Sequence, residues 1–293
     1  MSEAAVTCPV CRSELLVPTS VALSYGRLHG CTGCGSGILL PRPTQHDLSA
    51  QHANDDYFDH PYFEARRQLT PDLAYRYGER AAELVALIGP LAGRRVLEVG
   101  CDTGLFVGYL RDRHGAASVG VDVAHKAVAE ARKAGLDVRL GTLEQLALPP
   151  HSFDVICAYD LIEHVADPAG FLKEAASILA PGGIIVIETP NYDGLIYRLG
   201  RGLAQLPLGL AVTRAGQKRL WPPFHVQYFN AASLSGILAA NGFTATNVQG
   251  RELASAELAV GWPVKPIVLG IFALSHAVRA NTLLHAHARR AQS

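Results

Sequence analysis

Apolar residues in the middle of the chain come in short, β-branched runs bounded by turn residues. Val96-Leu97-Glu98-Val99, Ala117 to Asp122, Phe153 to Tyr159 and Ile184 to Glu188 are the clearest. A run apolar on both faces is how a parallel strand reads, because helices cover it from both sides. Between these runs the pattern changes. His125 to Ala134 reads as a helix, followed by a short strand, Asp137 to Leu140. Asp167-Pro168 opens another helix that stops at Ala180-Pro181-Gly182-Gly183, since neither Pro nor Gly continues it. Thr189-Pro190-Asn191 is the exit of the fifth strand, and Ala231 to Ala240 reads as a further helix. Strands alternating with helices at this rhythm predict an α/β chain with a parallel sheet and right-handed crossovers.

The first strand runs into Gly100-Cys101-Asp102-Thr103-Gly104, a turn that opens a helix. Glycines there let backbone N–H groups approach a ligand, and a helix N-terminus favours negative charge. The second strand ends in Asp122, where an acid can accept from both hydroxyls of a ribose. The dinucleotide spacing G-x-G-x-x-G is not met: the chain offers Gly100, Asp102 and Gly104, with Glu98 two residues before the first. An acidic strand end followed by alternating small residues resembles motif I of the class I S-adenosylmethionine-dependent methyltransferases. The resemblance covers roughly residues 75 to 250, with the motifs in order. Where the family has glycine this chain has Asp102. Aspartate tolerates left-handed backbone angles better than most residues, and its carboxylate can face the cofactor's ammonium.

The resemblance implies a Rossmann-like, doubly wound, mostly parallel seven-stranded sheet, closed by an antiparallel edge strand near Phe243 to Gln249. It implies S-adenosyl-L-methionine as cofactor. Glu98, Gly100, Cys101, Asp102 and Gly104 would line the methionine half, Asp122 and Val123 the ribose, and Thr142 and Leu143 the adenine. Tyr159, closing the fourth strand, completes the expected lining. Methyl transfer from a sulfonium is an in-line displacement that gains from alignment, and a hydroxyl acceptor gains from a base. Glu163-His164 stands just past the fourth strand, at the sheet edge where open α/β folds bind ligands. His225 precedes an aromatic pair and the helix from Ala231. Both are candidate acceptor-side residues. The remaining histidines, His285 and His287 included, are expected to be solvated. Trp221-Pro222-Pro223-Phe224 superficially resembles the signature of enzymes that methylate amide or base nitrogens, but that signature follows the fourth strand, where this chain reads Tyr159-Asp160-Leu161-Ile162.

The expected activity is therefore methylation of a small molecule, at oxygen, on a sugar, natural-product or lipid-linked acceptor. The alternatives are an RNA methyltransferase and a non-catalytic binding protein that keeps the fold.

Four cysteines lie outside this pattern. Cys8-x2-Cys11 and Cys31-x2-Cys34, with 19 residues between the pairs, have the spacing of a zinc site. Two knuckles complete a tetrahedral shell of four thiolates with no position open, which makes a structural zinc ribbon. Disulfides or iron are the rival readings. Cys101 and Cys157 read as small buried residues. The expected organisation is a ribbon over 1–40, a linker and helical lid over 41–90, a methyltransferase core over 91–257, and an apolar, basic C-terminal helix over 258–293. Within the lid Tyr57 and Phe58 are candidates to cover the cofactor.

Lys plus Arg balance Asp plus Glu at 26 each, which argues against a nucleic-acid partner. The insertion from Leu195 to Pro223 carries Arg198, Arg201, Arg214, Lys218 and Arg219 but no acid, which suits an anionic acceptor. Pro266 to Val278 is too short to span a bilayer. It is expected to pack on the last strands or in a homodimer contact, with a peripheral membrane contact as the second reading. No amino-terminal run pairs positive charge with an apolar stretch, so the expected compartment is the cytoplasm.

Overall fold

Residues 6–54, 69–205, 220–253 and 264–291 are described by the computed structural model. The amino-terminal strands β1 (Leu16–Leu23), β2 (Gly26–Cys31) and β3 (Gly37–Leu40) pair antiparallel. Helix α1 (Gln45–His52) starts at a capping box: Thr44 accepts from the Asp47 N–H and the Asp47 carboxylate accepts from the Thr44 N–H. Helix α2 (Pro71–Ile88) starts at Thr70, with proline in its first turn where no N–H is needed.

Then strands and helices alternate: β4 (Arg95–Val99), α3 (Leu105–His114), β5 (Ala117–Asp122), α4 (His125–Lys133), β6 (Val138–Leu140), the short α5 (Leu143–Leu146) and β7 (Phe153–Tyr159). A 3-10 turn (Ile162–His164) leads to α6 (Pro168–Ile178), β8 (Leu179–Pro190) and α7 (Leu195–Leu203). The chain closes with β9 (Gln227–Tyr228), α8 (Ala231–Ala240), β10 (Phe243–Arg251), α9 (Val264–Ala277) and β11 (Leu283–Arg290).

The seven-stranded sheet has the order β10-β11-β8-β7-β4-β5-β6. β4 to β8 are parallel, and β11 runs antiparallel to both its neighbours. Strand alternation assigns the two faces. Val96, Val155, Cys157, Ile184 and Val186 pack under Ala81 and Leu84 of α2 and Phe106 and Leu110 of α3. Leu97, Ile156, Ala158, Ile185 and Ile187 pack with Leu172 of α6 and Leu234 of α8. That is a three-layer α/β sandwich.

Three expectations need correction. The tail is not one helix over 258–293, because Leu283–Arg290 forms an inner strand of the sheet. Phe243–Arg251 is the edge strand, but β11 separates it from β8, so the reversed strand is β11. The helix opened at Asp167 ends at Ile178, and Pro181 to Gly183 already belong to the β8 run.

The amino-terminal lobe is not an isolated bead. β9, from far along the chain, adds to it as a fourth strand in the order β1-β2-β3-β9, pairing Ile38 with Gln227 and Gly37 with Tyr228. Gly37 is needed there, since a Cβ would lie 2.5 Å from the Tyr192 ring.

Candidate active site at the carboxyl edge of the sheet

The turn after β4 is tied to β5. Gly100 N–H donates to the Val121 carbonyl at 2.8 Å, and Cys101 N–H to the same oxygen at 3.2 Å. Gly100, Asp102 and Gly104 all have positive φ, at 75°, 47° and 73°. Asp102 thus takes the left-handed turn of the glycine it replaces. Asp122 braces the turn, its Oδ2 accepting from Asp102 N–H and its Oδ1 from Ala124 N–H, each at 2.8 Å. Cys101 is buried, and its thiol is held well above its usual pKa by that burial and then by the Asp122 charge. Val123 is half-buried.

Below the turn, Glu98 is buried and its Oε2 has no hydrogen-bond partner among the described residues. Burial raises its pKa to about 8, against the opposing pull of Arg80 and with help from Asp122 and Asp102. A buried, partnerless acid oxygen beside a braced glycine turn fits a cationic ligand group such as a methionine ammonium. Tyr159 is also buried, with the Arg80 guanidinium 3.6 Å above its ring. Thr142 caps α5 through a capping box with Gln145, and the Leu143 side chain lies inside the core. Tyr57 and Phe58 lie outside the described residues.

Arg80 belongs to a charged group that the sequence did not announce. Glu188 of β8 accepts from Arg76 at 2.7 Å and Arg80 at 2.9 Å through Oε1, and from Arg251 at 3.4 Å through Oε2. His285 of β11 lies directly across the ladder from Glu188, and its Nε2 meets Glu83 of α2. Burial alone would raise Glu188, but the His285 ring 3.7 Å away and three arginine charges hold it well below the usual carboxylate range. His285 shifts upward despite its burial, because both carboxylates face it. His285 is therefore a buried ion-pair member and not a solvated residue as expected.

On the acceptor side the structure brings His164 and His225 together, with ring centroids 4.5 Å apart. His52 of α1, one of the histidines expected to be solvated, instead packs edge-on to His164 at 5.0 Å. Donor atoms of Glu163, His164 and His225 all lie within 4.8 Å of one another. Glu163 Oε2 accepts from the Thr189 hydroxyl at 2.8 Å, while Glu163 Oε1 and His225 Nδ1 have no partner among the described residues. His164 Nδ1 lies 3.0 Å from the Phe224 carbonyl. A carbonyl only accepts, so Nδ1 carries the proton. Burial, then the neighbouring His225 and His52, push His164 well below its usual pKa, and burial takes His225 to about 3. Both rings are neutral, and His164 keeps its lone pair on Nε2.

The loop that delivers His225 is strapped down. Val226 N–H donates to the Glu163 carbonyl, and Gln227 Nε2 donates to the Ile162 and Val165 carbonyls. Arg42, just after the lobe, donates to the Val226 and Ala166 carbonyls and to Gln227 Oε1.

In the lobe, Cys8, Cys11, Cys31 and Cys34 form one cluster. Cys8 and Cys34 sulfurs lie 3.8 Å apart, and Cys11 and Cys31 sulfurs 3.5 Å apart. Four sulfurs about 2.3 Å from one ion would stand at about this spacing. In both knuckles the fifth residue donates its N–H to the first cysteine's carbonyl, Arg12 to Cys8 and Gly35 to Cys31, each at 2.8 Å. The hydrogen bond between the Cys8 and Cys34 thiols favours the Cys34 thiolate, lowering it to about 4, and raises Cys8 in turn.

The chain matches a methyltransferase-domain family over residues 72–248. It belongs to that family. Among curated relatives, this class I S-adenosylmethionine-dependent methyltransferase is 34% identical over 161 residues to a Mycolicibacterium smegmatis protein named for the same activity, covering 54% of this chain and 55% of that one. It is 33% identical over 181 residues to the ubiquinone biosynthesis O-methyltransferase of Idiomarina loihiensis, covering 59% and 74%. Against several other ubiquinone biosynthesis O-methyltransferases the match spans about half of the relative's length or less. A solved Haemonchus contortus phosphoethanolamine N-methyltransferase shares the fold with TM-score 0.55 at 16% identity, over 81% of this chain and 60% of that one. No helix among the methyltransferase's described residues is long and apolar enough to cross a membrane.

Proposed function

We propose that this protein transfers the methyl group of S-adenosylmethionine to an oxygen of a small molecule. The observation that carries the reading is the His164 ring, held by the Phe224 carbonyl in the tautomer that leaves the Nε2 lone pair for an acceptor hydroxyl. Its position past the carboxyl end of β7 suits an acceptor hydroxyl brought beside the glycine turn. The names of the curated relatives support oxygen as the acceptor atom.

In this reading S-adenosylmethionine supplies an activated methyl group. Asp122 takes the ribose, Glu98 and Asp102 face the ammonium, and Gly100 and Gly104 keep the main chain open to the methionine half. Val123 lies beside the ribose, and the backbone around Thr142 and Leu143 lines the adenine side, because the Leu143 side chain is committed to the core. The four cysteines hold a structural zinc ion. Of the basic residues in the insertion, Arg201 is committed to Tyr192, donating to its carbonyl at 2.6 Å. Arg214, Lys218 and Arg219 lie outside the described residues. The case for an anionic acceptor thus rests on composition alone.

The test is a screen of phenolic, sugar and lipid-linked hydroxyl acceptors with the full chain, reading formation of S-adenosylhomocysteine. With a working acceptor, His164→Ala is expected to lower turnover by about 10²–10⁴-fold and leave S-adenosylhomocysteine affinity unchanged. Loss of that affinity, or unchanged turnover, would overturn the role given to His164.

A further inference from the structure

Charge is distributed unevenly along a chain whose total is zero. The hundred residues after Asp193 contain ten Lys and Arg against two acids, Glu252 and Glu257. The first 193 residues carry the compensating acidic excess. Within this basic third, α7 and α9 pack against one another.

α9 buries Phe272 and Ser275 and turns the opposite stripe outward. Ile267, Leu274 and Val278 follow one another at helical spacing and are 65%, 54% and 55% exposed. On α7, Leu199 and Leu203, one turn apart, are also exposed. Exposed cations frame these residues: Lys265 at the start of α9, Arg279 just past its end, and Arg198 beside Leu199. Glu252 is turned the other way, its carboxylate accepting from the Ser275 hydroxyl on the inner side of α9.

An exposed apolar stripe bounded by Lys and Arg, on a helix too short to span, has the composition of a helix that lies in the headgroup layer. A contact with a second copy would have to juxtapose these like charges across its own two-fold axis. Charge complementarity therefore selects the partner. We infer that α9, with α7 beside it, docks the protein onto an anionic phospholipid surface, with Ile267, Leu274 and Val278 entering the acyl boundary and Lys265, Arg279 and Arg198 meeting the headgroups.

The experiment is co-sedimentation of the full chain with phosphatidylcholine vesicles, with and without phosphatidylglycerol, at low and high salt. Binding is expected only with the anionic lipid and should weaken as salt rises. K265E/R279E should weaken partition roughly thirtyfold or more, at about tenfold per 1.4 kcal/mol and about 1 kcal/mol for each charge lost near the surface. I267S/L274S should abolish it. All variants should keep wild-type circular dichroism and S-adenosylhomocysteine affinity, since none touches the turn or the core. Failure of the wild type to sediment, equal binding to neutral vesicles, or wild-type binding by I267S/L274S would overturn the inference. So would a dimer in light scattering that I267S/L274S converts to monomer, which would assign the stripe to a second copy.

Discussion

Asp122→Asn separates bracing the turn from holding the cofactor. Each Asp122 oxygen accepts one backbone N–H at 2.8 Å, from Asp102 and from Ala124. Asparagine keeps the shape but presents an NH2 group to one of those N–H groups. One hydrogen bond to a charged acceptor is lost, about 1.5–3 kcal/mol. The same substitution removes one acceptor from the proposed ribose contact, so affinity should fall by about 10- to 150-fold. Calorimetric titration with S-adenosylhomocysteine measures this without turnover, and urea unfolding of the same sample reads the stability cost. Asp154→Asn is the control: Asp154 also binds a backbone N–H, that of Arg95 at 2.9 Å, but at the opposite edge of the sheet. It should lose stability and keep affinity. If Asp122→Asn behaves like Asp154→Asn, with affinity within twofold of wild type, Asp122 is a turn brace only and the ribose assignment fails.

Four other outcomes follow from the geometry. Glu98, with its pKa near 8, is mostly protonated at neutral pH, and a cationic ligand favours its charged form. Binding should therefore release about one proton, and affinity should rise by up to about tenfold per pH unit below 8. Calorimetry in two buffers of different ionisation enthalpy reads this, and a buffer-independent heat would refute it. Glu188→Gln strands the buried Arg80 guanidinium and should cost about 3–5 kcal/mol in urea unfolding, and a loss under 1 kcal/mol would contradict the network. The pH dependence of that network has a definite sign. The contribution of Glu188, whose pKa is depressed, is complete above about 4.3 and lost as pH falls through its folded value. The contribution of His285, whose pKa is raised, is complete below about 6.5 and lost as pH rises through its folded value. His285→Gln should flatten the alkaline limb of a plot of Tm against pH, and an unchanged limb would exclude His285 as its source. Gly37→Ala drives a methyl group into the Tyr192 ring and should destabilise the lobe contact by about 1–3 kcal/mol by thermal melting.

The parallel strands were legible because burial on both faces leaves an unbroken apolar run, and Phe153–Tyr159 has the bounds its pattern predicts. The four cysteines were legible because two C-x2-C pairs at this spacing mark a cluster, and the fold brings all four sulfurs together. β11 was not. Leu283–Arg290 carries two histidines and two arginines, and its buried His285 is tolerated because Glu83 and Glu188 meet it. Those partners stand about a hundred residues or more away and leave no local trace. His52 escaped for a related reason. Leu48 is the only buried residue of α1, so no amphipathic pattern marks that helix, and its position beside His164 depends on tertiary packing. Asp102 was readable as a turn residue, yet its link to Asp122 needed the fold.

The strand pair between Gly37-Ile38 and Gln227-Tyr228 makes the cysteine-bearing end and the histidine-bearing loop parts of one sheet. A shortened version that begins after residue 40 would not merely omit an appendage. It would expose the edge of β9 and leave the His225 loop held only by Arg42 and by its bonds to Ile162, Glu163 and Val165. Whoever trims this protein for expression, or grafts its front onto another protein, is editing the wall of the candidate site.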